Sequence, residues 1–188
     1  MIIGLCGYAQ SGKDTAAKHL TGFRRLAFAD KLKADLSGFI LTFYGFSIYN
    51  CTPEQKEMIR PLMIAHGECK RRQDPNHWLR PIQRVIEDSC KEDGFVITDV
   101  RYLNEAKMIL NAGGLIIYLD RGGAPASNEE ARSIREILDV IEPPRVLNDD
   151  KPVVLAQRVL TTAIQKQGRP PASLLAVLSN MREPCPAD

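Results

Sequence analysis

The chain has no CxxC pair, no histidines at metal-binding spacing, no long apolar run and no excess of charge of one sign. Each absence removes a class of protein. The five cysteines, Cys6, Cys51, Cys69, Cys90 and Cys185, are odd in number and far apart, which argues against a disulfide framework and a structural zinc site. The three histidines, His19, His66 and His77, lack the i, i+4 spacing of a zinc helix. No run approaches the roughly 20 apolar residues of a membrane span. The apolar opening Met1–Cys6 stops at Gly7 with no basic leader, so it reads as a buried strand rather than a signal peptide, and a reducing cytoplasm is expected. With 25 basic and 23 acidic residues the formal charge is only +2, so the overall balance favours neither direct nucleic-acid binding nor membrane adsorption.

What is present suits one domain of 188 residues with 44% apolar content. Short apolar runs alternate with stretches of helical spacing. Ile2–Cys6 reads as a strand, Lys13–Leu20 as a helix, Leu26–Ala29 as a second strand and Lys31–Tyr44 as a helix ended by Gly45. Thr52-Pro53-Glu54-Gln55 is a capped helix start leading toward Gly67, and Asp74-Pro75-Asn76 opens a helix from about His77 to Lys91. Phe95–Arg101 and Leu115–Leu119 are fully apolar strands that end in charge, with a helix over Asn104–Leu110 and a Gly113-Gly114 turn between them. A polar, solvent-facing stretch follows from Arg121, becoming a charged helix over Asn128–Ile137. Arg145–Asn148 is a fifth strand and Val153–Gln165 a closing amphipathic helix. This alternation predicts a parallel α/β sheet. Residues 1–167 are read as the domain and the proline-punctuated 168–188 as a tail expected to be partly disordered.

The strongest chemical signal is Gly7-Tyr8-Ala9-Gln10-Ser11-Gly12-Lys13-Asp14-Thr15, a GxxxxGK phosphate loop between a strand and a helix. Gly7 and Gly12 let the chain turn tightly, so that N–H groups along Gln10 and Ser11 and at the helix start point at phosphate oxygens. Lys13 brings a point charge to the β- and γ-phosphates of ATP. The bland alternative is a Gly-rich turn. Asp14 stands where serine or threonine is usual. Beside phosphates it is repulsive unless Mg²⁺ lies between them, which makes Asp14 a candidate metal ligand with Thr15 supplying a hydroxyl; the alternative is a solvated acid at a helix start.

Asp99 ends a buried strand at the edge where open α/β sheets bind ligands, so it is a second candidate for Mg²⁺ or its waters, and Arg101 for gripping an acceptor phosphate. A helix-capping Asp99 and a surface Arg101 are the alternatives. His66 is an acceptor-site candidate, and Lys70-Arg71-Arg72 reads either as a phosphate-binding cluster or as a solvated helix end. Trp78 suits packing or base stacking.

Together GYAQSGKDT, FADKLK at 28–33, RPLMIAHGE, DPNHW, ITDVRYLNEA at 98–106 and VLND at 146–149 resemble the deoxynucleoside monophosphate kinases of bacteriophages, over about residues 1–160. The resemblance implies an adenylate-kinase-like P-loop fold: a three-layer α/β/α sandwich on five parallel strands, an acceptor-binding helical insert at about 31–93 and a lid at about 121–137. It implies ATP as phosphoryl donor, Mg²⁺, and transfer of the γ-phosphoryl group to a deoxynucleoside monophosphate. By that resemblance Lys33, Arg60, Arg71, Arg72 and Trp78 lie near the acceptor. Asp99, Arg101, Asn104 and Glu105 face the phosphates, and Arg121, Arg132 and Arg135 of the lid clamp them, with Lys13, Arg101 and Arg132 stabilising the transferring group. A homodimer and a host-cell cytoplasm are implied too. The sequence departs from the family pattern at Tyr102-Leu103, where an aromatic-proline pair is expected, and at His66-Gly67-Glu68. Rival readings are a kinase for phosphomevalonate or dephospho-coenzyme A, or an ATP-binding switch or assembly factor that phosphorylates no metabolite.

Overall fold

A computed structural model describes residues 1–89, 94–149 and 151–168. The chain forms two compact units, one of Met1–Leu26 with the chain from Asp88 onward, the other Ala27–Glu87.

In the first unit five strands, β1 (Ile2–Cys6), β2 (Phe23–Leu26), β3 (Gly94–Val100), β4 (Leu115–Asp120) and β5 (Arg145–Leu147), form one sheet in the order β2-β3-β1-β4-β5. Every pairing is parallel, so all five strands end at the same edge. β1 is central and wholly buried, which is why its run carries no alternation of polar and apolar residues. Ile3 and Leu5 point to a cluster with Ala16, Ala17 and Leu20 of α1 (Lys13–His19) and Leu155, Ala156 and Val159 of α7 (Pro152–Gln167). Gly4 points the other way. A Cβ there would stand 2.6 Å from Ile116 Cδ1 and 2.8 Å from Ile109 Cδ1, so the glycine admits the side chains that α5 (Leu103–Asn111) and β4 press onto that face. Helices therefore cover both faces of the sheet, the α/β/α arrangement expected of a P-loop kinase-like fold.

Between Gly4↔Ile97 and Cys6↔Val100 the β1–β3 register slips, leaving Thr98 and Asp99 opposite Leu5 alone. Such a bulge re-aims side chains near a strand end. It falls at Asp99.

Several boundaries differ from the sequence expectation. The second strand is Phe23–Leu26 rather than Leu26–Ala29, because it is an edge strand whose Arg24 and Arg25 face solvent and so carries no apolar run. The helix α6 (Asn128–Ile141) is not solvent-facing throughout: Ile134 and Ile137 are fully buried and Glu130 and Ser133 nearly so. The tail at 169–188, and with it Cys185, lies outside the described residues, as do Cys90 and Lys91 at the end of the helix expected from His77.

The second unit is helical: α2 (Phe28–Tyr44), α3 (Pro53–Gln73) and α4 (Leu79–Glu87). Thr52 and Gln55 form a reciprocal capping box at the start of α3, with Pro53 at the first helical position. Gly67 does not end this helix, as the sequence suggested. It lies inside it and is buried, where a Cβ would stand 3.0 Å from Leu32 Cδ1 of α2. The core is Leu32, Leu36, Ile40, Ile48, Ile59 and Trp78. Trp78, the chain's single tryptophan, is 3% exposed and donates its indole N–H to the Gly67 carbonyl at 3.2 Å. Trp78→Ala should therefore destabilise this unit by about 3–5 kcal/mol, read from denaturant unfolding by circular dichroism. A loss below about 1 kcal/mol would contradict the packing role.

Candidate functional site

The chain leaves β1 into the phosphate loop at Gly7 with φ +145° and enters α1 through Gly12 with φ +96°. Both values suit glycine, and both positions are crowded. A Cβ on Gly7 would fall 2.4 Å from the Leu119 carbonyl, and one on Gly12 would fall 2.3 Å from Asn148 Nδ2. Between them Gln10 adopts a left-handed φ of +63°. The Lys13 ammonium is drawn into this loop, donating to the Gly7 and Tyr8 carbonyls at 2.7 Å each and to Ser11 Oγ at 3.1 Å. Burial first, and then the Arg101 guanidinium, hold its pKa below the ordinary lysine value; Glu130, Cys6 and Asp14 act in the opposite sense.

The other strand ends complete the surroundings. From β5, Asn148 donates through Nδ2 to the Ser11 carbonyl at 2.9 Å, and its own N–H reaches the Asp120 carbonyl at 2.7 Å. From β4, Asp120 is nearly buried, accepts from the Gly122 N–H at 2.8 Å and is ion-paired with Arg145. The following residue, Arg121, makes a long 3.4 Å bond to the Gln10 carbonyl. From β3 come half-buried Asp99 and exposed Arg101. Arg101 Nη1 stands 4.0 Å from Glu130 Oε1 at the start of α6. Cys6, the last residue of β1, is buried, and that burial pushes its thiol up to about 12.

The expected residues of this unit thus separate into two groups. Gly7, Gln10, Ser11, Gly12, Lys13, Arg101 and Arg121 meet at the loop. Glu105 does not face it: its carboxylate is 3% exposed and accepts the N–H groups of Arg101 and Tyr102 at 2.8 and 3.0 Å, capping α5. The family resemblance sets it among the residues facing the phosphates, yet its place three residues after Tyr102 is what a helix cap requires. Asn104 Oδ1 accepts the Glu105 N–H at 3.1 Å in the same turn. Arg132 and Arg135 are exposed on α6. Asp14 and Thr15 are exposed in the first turn of α1, and the Asp14 carboxylate stands 3.5 Å from Arg25 Nε.

Among the described residues no group of three or more His, Cys, Asp or Glu is gathered to hold a metal unaided. The donors at hand, Asp14, Thr15 and Asp99, are hard oxygens in ones and twos. That set fits Mg²⁺, which takes one or two protein oxygens and completes its shell with phosphate and water.

The helical unit holds the expected acceptor residues Lys33, His66, Arg71 and Arg72. His66 Nε2 is buried without a hydrogen-bond partner, 3.8 Å from Asp35 Oδ2, and Asp35 is also paired with Lys31 at 2.7 Å. The rings of His66 and Trp78 lie 5.9 Å apart, edge to face. Trp78 itself, expected to shape the pocket, is committed to the core. Arg72 is tied to Glu68 at 3.2 Å and Arg60 to Glu57 at 2.5 Å, both pairs within exposed α3.

Sequence reasoning missed Asn148, Asp120, Arg145 and Glu130. Asn148 and Asp120 end strands of a parallel sheet, the signal that had singled out Asp99. Glu130 sits three residues after Ser127 in a readable S-x-x-E helix start. Asn148→Ala should free the Ser11 carbonyl and cost about 1 kcal/mol, lowering the melting temperature and raising the Kd for ATP several-fold. Unchanged ATP affinity would show that Asn148 does not brace the loop. In alkylation of the native chain followed by mass spectrometry, exposed Cys69 should react before buried Cys6 at pH 8, and labelling of Cys6 ahead of Cys69 would contradict its burial.

The chain is 32% identical over 166 residues to a protein of Acanthamoeba polyphaga mimivirus named "Putative deoxynucleotide monophosphate kinase", taking in 72% of this chain and 84% of that one. An unliganded sugar kinase from Janibacter sp. HTCC2649 aligns at a TM-score of 0.46 and 16% identity, over 89% of this chain and 95% of that one, a likeness too loose to bear on function. No protein-family model matches the chain. No helix among the described residues is long and apolar enough to cross a membrane.

Proposed function

The chain belongs to the deoxynucleotide monophosphate kinase family, and from this membership and the phosphate-loop geometry we propose that it transfers the γ-phosphoryl group of ATP to a deoxynucleoside monophosphate, giving the diphosphate. The observation that carries the reading is the Lys13 ammonium, half-desolvated in a loop of backbone groups with Arg101 beside it. A cationic cluster of this kind suits a polyphosphate better than any neutral ligand.

In this reading the acceptor's own phosphate oxygen is the nucleophile. It is ionised near neutral pH, so no general base is needed. Lys13 exchanges its carbonyl partners for β- and γ-phosphate oxygens. Arg101, at the end of β3, faces the transferring group, and Arg121 closes over the loop from β4. Mg²⁺ held through Asp99 and Asp14 would neutralise phosphate charge. The stretch from Arg121 into α6 acts as the lid, with Arg132 and Arg135 as clamps, and excludes water. The residues that the family resemblance assigns to the acceptor, Lys33, Arg71 and His66, lie in the helical unit, where His66 Nε2 stands 3.8 Å from Asp35 Oδ2.

Incubation with ATP, Mg²⁺ and each of the four deoxynucleoside monophosphates, with phosphomevalonate and dephospho-coenzyme A as controls, should form ADP with at least one of the four. ADP formed only with a control acceptor, or with none, would overturn the substrate assignment. Lys13→Ala should lower kcat/KM at least about 100-fold with the circular dichroism spectrum preserved. Retained turnover in that variant would remove the loop from the chemistry.

A further inference from the structure

Besides Arg121, the loop 121–127 and the first turn of α6 present to the phosphate site a buried carboxylate that the mechanism above does not use. Glu130 is 8% exposed and occupies the third helical position after the N-cap Ser127, whose hydroxyl accepts the Glu130 N–H at 3.1 Å. Its two oxygens do different work. Oε2 accepts the Ala126 N–H at 2.7 Å, tying the loop to the helix start. Oε1 faces the Arg101 guanidinium at 4.0 Å, and the Glu130 charge is felt by the Lys13 ammonium. The bond from the Ala126 N–H needs only an oxygen acceptor at this position, which glutamine supplies as well as glutamate. Burying a full negative charge there costs desolvation that the cap alone does not require. The cations across from it are what compensate.

We propose that Glu130 is the internal counter-anion of the phosphate site, competing with the phosphates of ATP for Arg101 and Lys13 and so linking nucleotide binding to the start of α6. The inference rests on the reading of this loop as the ATP site. The charged and titratable groups around Lys13 are Arg101 after β3, Glu130 on α6, Cys6 at the end of β1 and Asp14 on α1, and beside Glu130 the Glu129 Oε1 is 3.5 Å from the Tyr102 hydroxyl. A polyphosphate entering this cluster meets one fixed negative charge that is buried and aimed at its own binding partners. When phosphate takes Arg101, Oε1 loses its partner while Oε2 still holds Ala126. The loop ahead of α6 is thereby coupled to occupancy of the site.

Isothermal titration of ATP and of inorganic tripolyphosphate into wild type, Glu130→Gln and Ser127→Ala at low ionic strength tests this. Glu130→Gln keeps a cap acceptor and removes the charge, so it should bind both probes about three- to tenfold more tightly and melt close to wild type. Ser127→Ala breaks the cap without touching the charge, so it should melt at lower temperature and bind like wild type. Equal or weaker binding by Glu130→Gln, or equal tightening by Ser127→Ala, would reduce Glu130 to a helix cap and overturn the inference while leaving the ATP site intact. Failure of the wild-type chain to bind either probe would overturn the ATP reading, and this inference with it.

Discussion

A single ammonium organises the sheet-bearing unit of this molecule. Lys13 is held by two carbonyls and a hydroxyl of the loop that carries it, and that loop can take its shape only because Gly7 and Gly12 lie against the Leu119 carbonyl and the Asn148 amide with no room for a side chain. The price is a cation partly stripped of water with a guanidinium nearby, an arrangement that destabilises the charged lysine. Folding alone gives no reason to keep it. In the proposed function binding of a multiply charged anion would, since phosphate oxygens would replace carbonyl dipoles with full negative charge.

The parallel sheet makes that arrangement possible. Because all five strands end at one edge, the loop after β1 is braced by the residue after β5 through Asn148, flanked by the residues after β4 through Asp120 and Arg121, and faced by those ending β3. None of these contacts is local in sequence: Asn148 and Ser11 are 137 positions apart. They are fixed by the buried cores on the two faces of β1, where Ile3 and Leu5 hold α1 and α7 and Gly4 admits Ile109 and Ile116.

Much of this was legible in the sequence. GxxxxGK between an apolar run and a helix is a local pattern whose geometry is dictated by glycine and by the strand–turn–helix order, so the loop and the central strand could be read directly. Features that depend on distant neighbours could not. Glu105 and Asp99 are both acids near a strand end, and only the packing shows that Glu105 turns inward to cap α5. Gly67 reads as a helix stop, but it is an internal contact point beside Leu32. The β2 strand was displaced in the reading because an edge strand bearing Arg24 and Arg25 has no apolar signature.

Asp14 illustrates how a departure from a motif is accommodated. A carboxylate immediately after the loop lysine would repel phosphates if it faced them without a cation between. Here it is exposed, 70% by side chain, and stands opposite Arg25 on the edge strand. An exposed pair at this distance is weak, of the order of a few tenths of a kcal/mol, so Asp14 can leave Arg25 at little cost when a stronger electrophile arrives. In the proposed reaction Mg²⁺ entering with ATP would be such a partner, and its charge would exchange repulsion for attraction at the one position where the loop departs from the usual hydroxyl. In that reading Arg25 would hold the carboxylate away from the phosphates until a cation claims it.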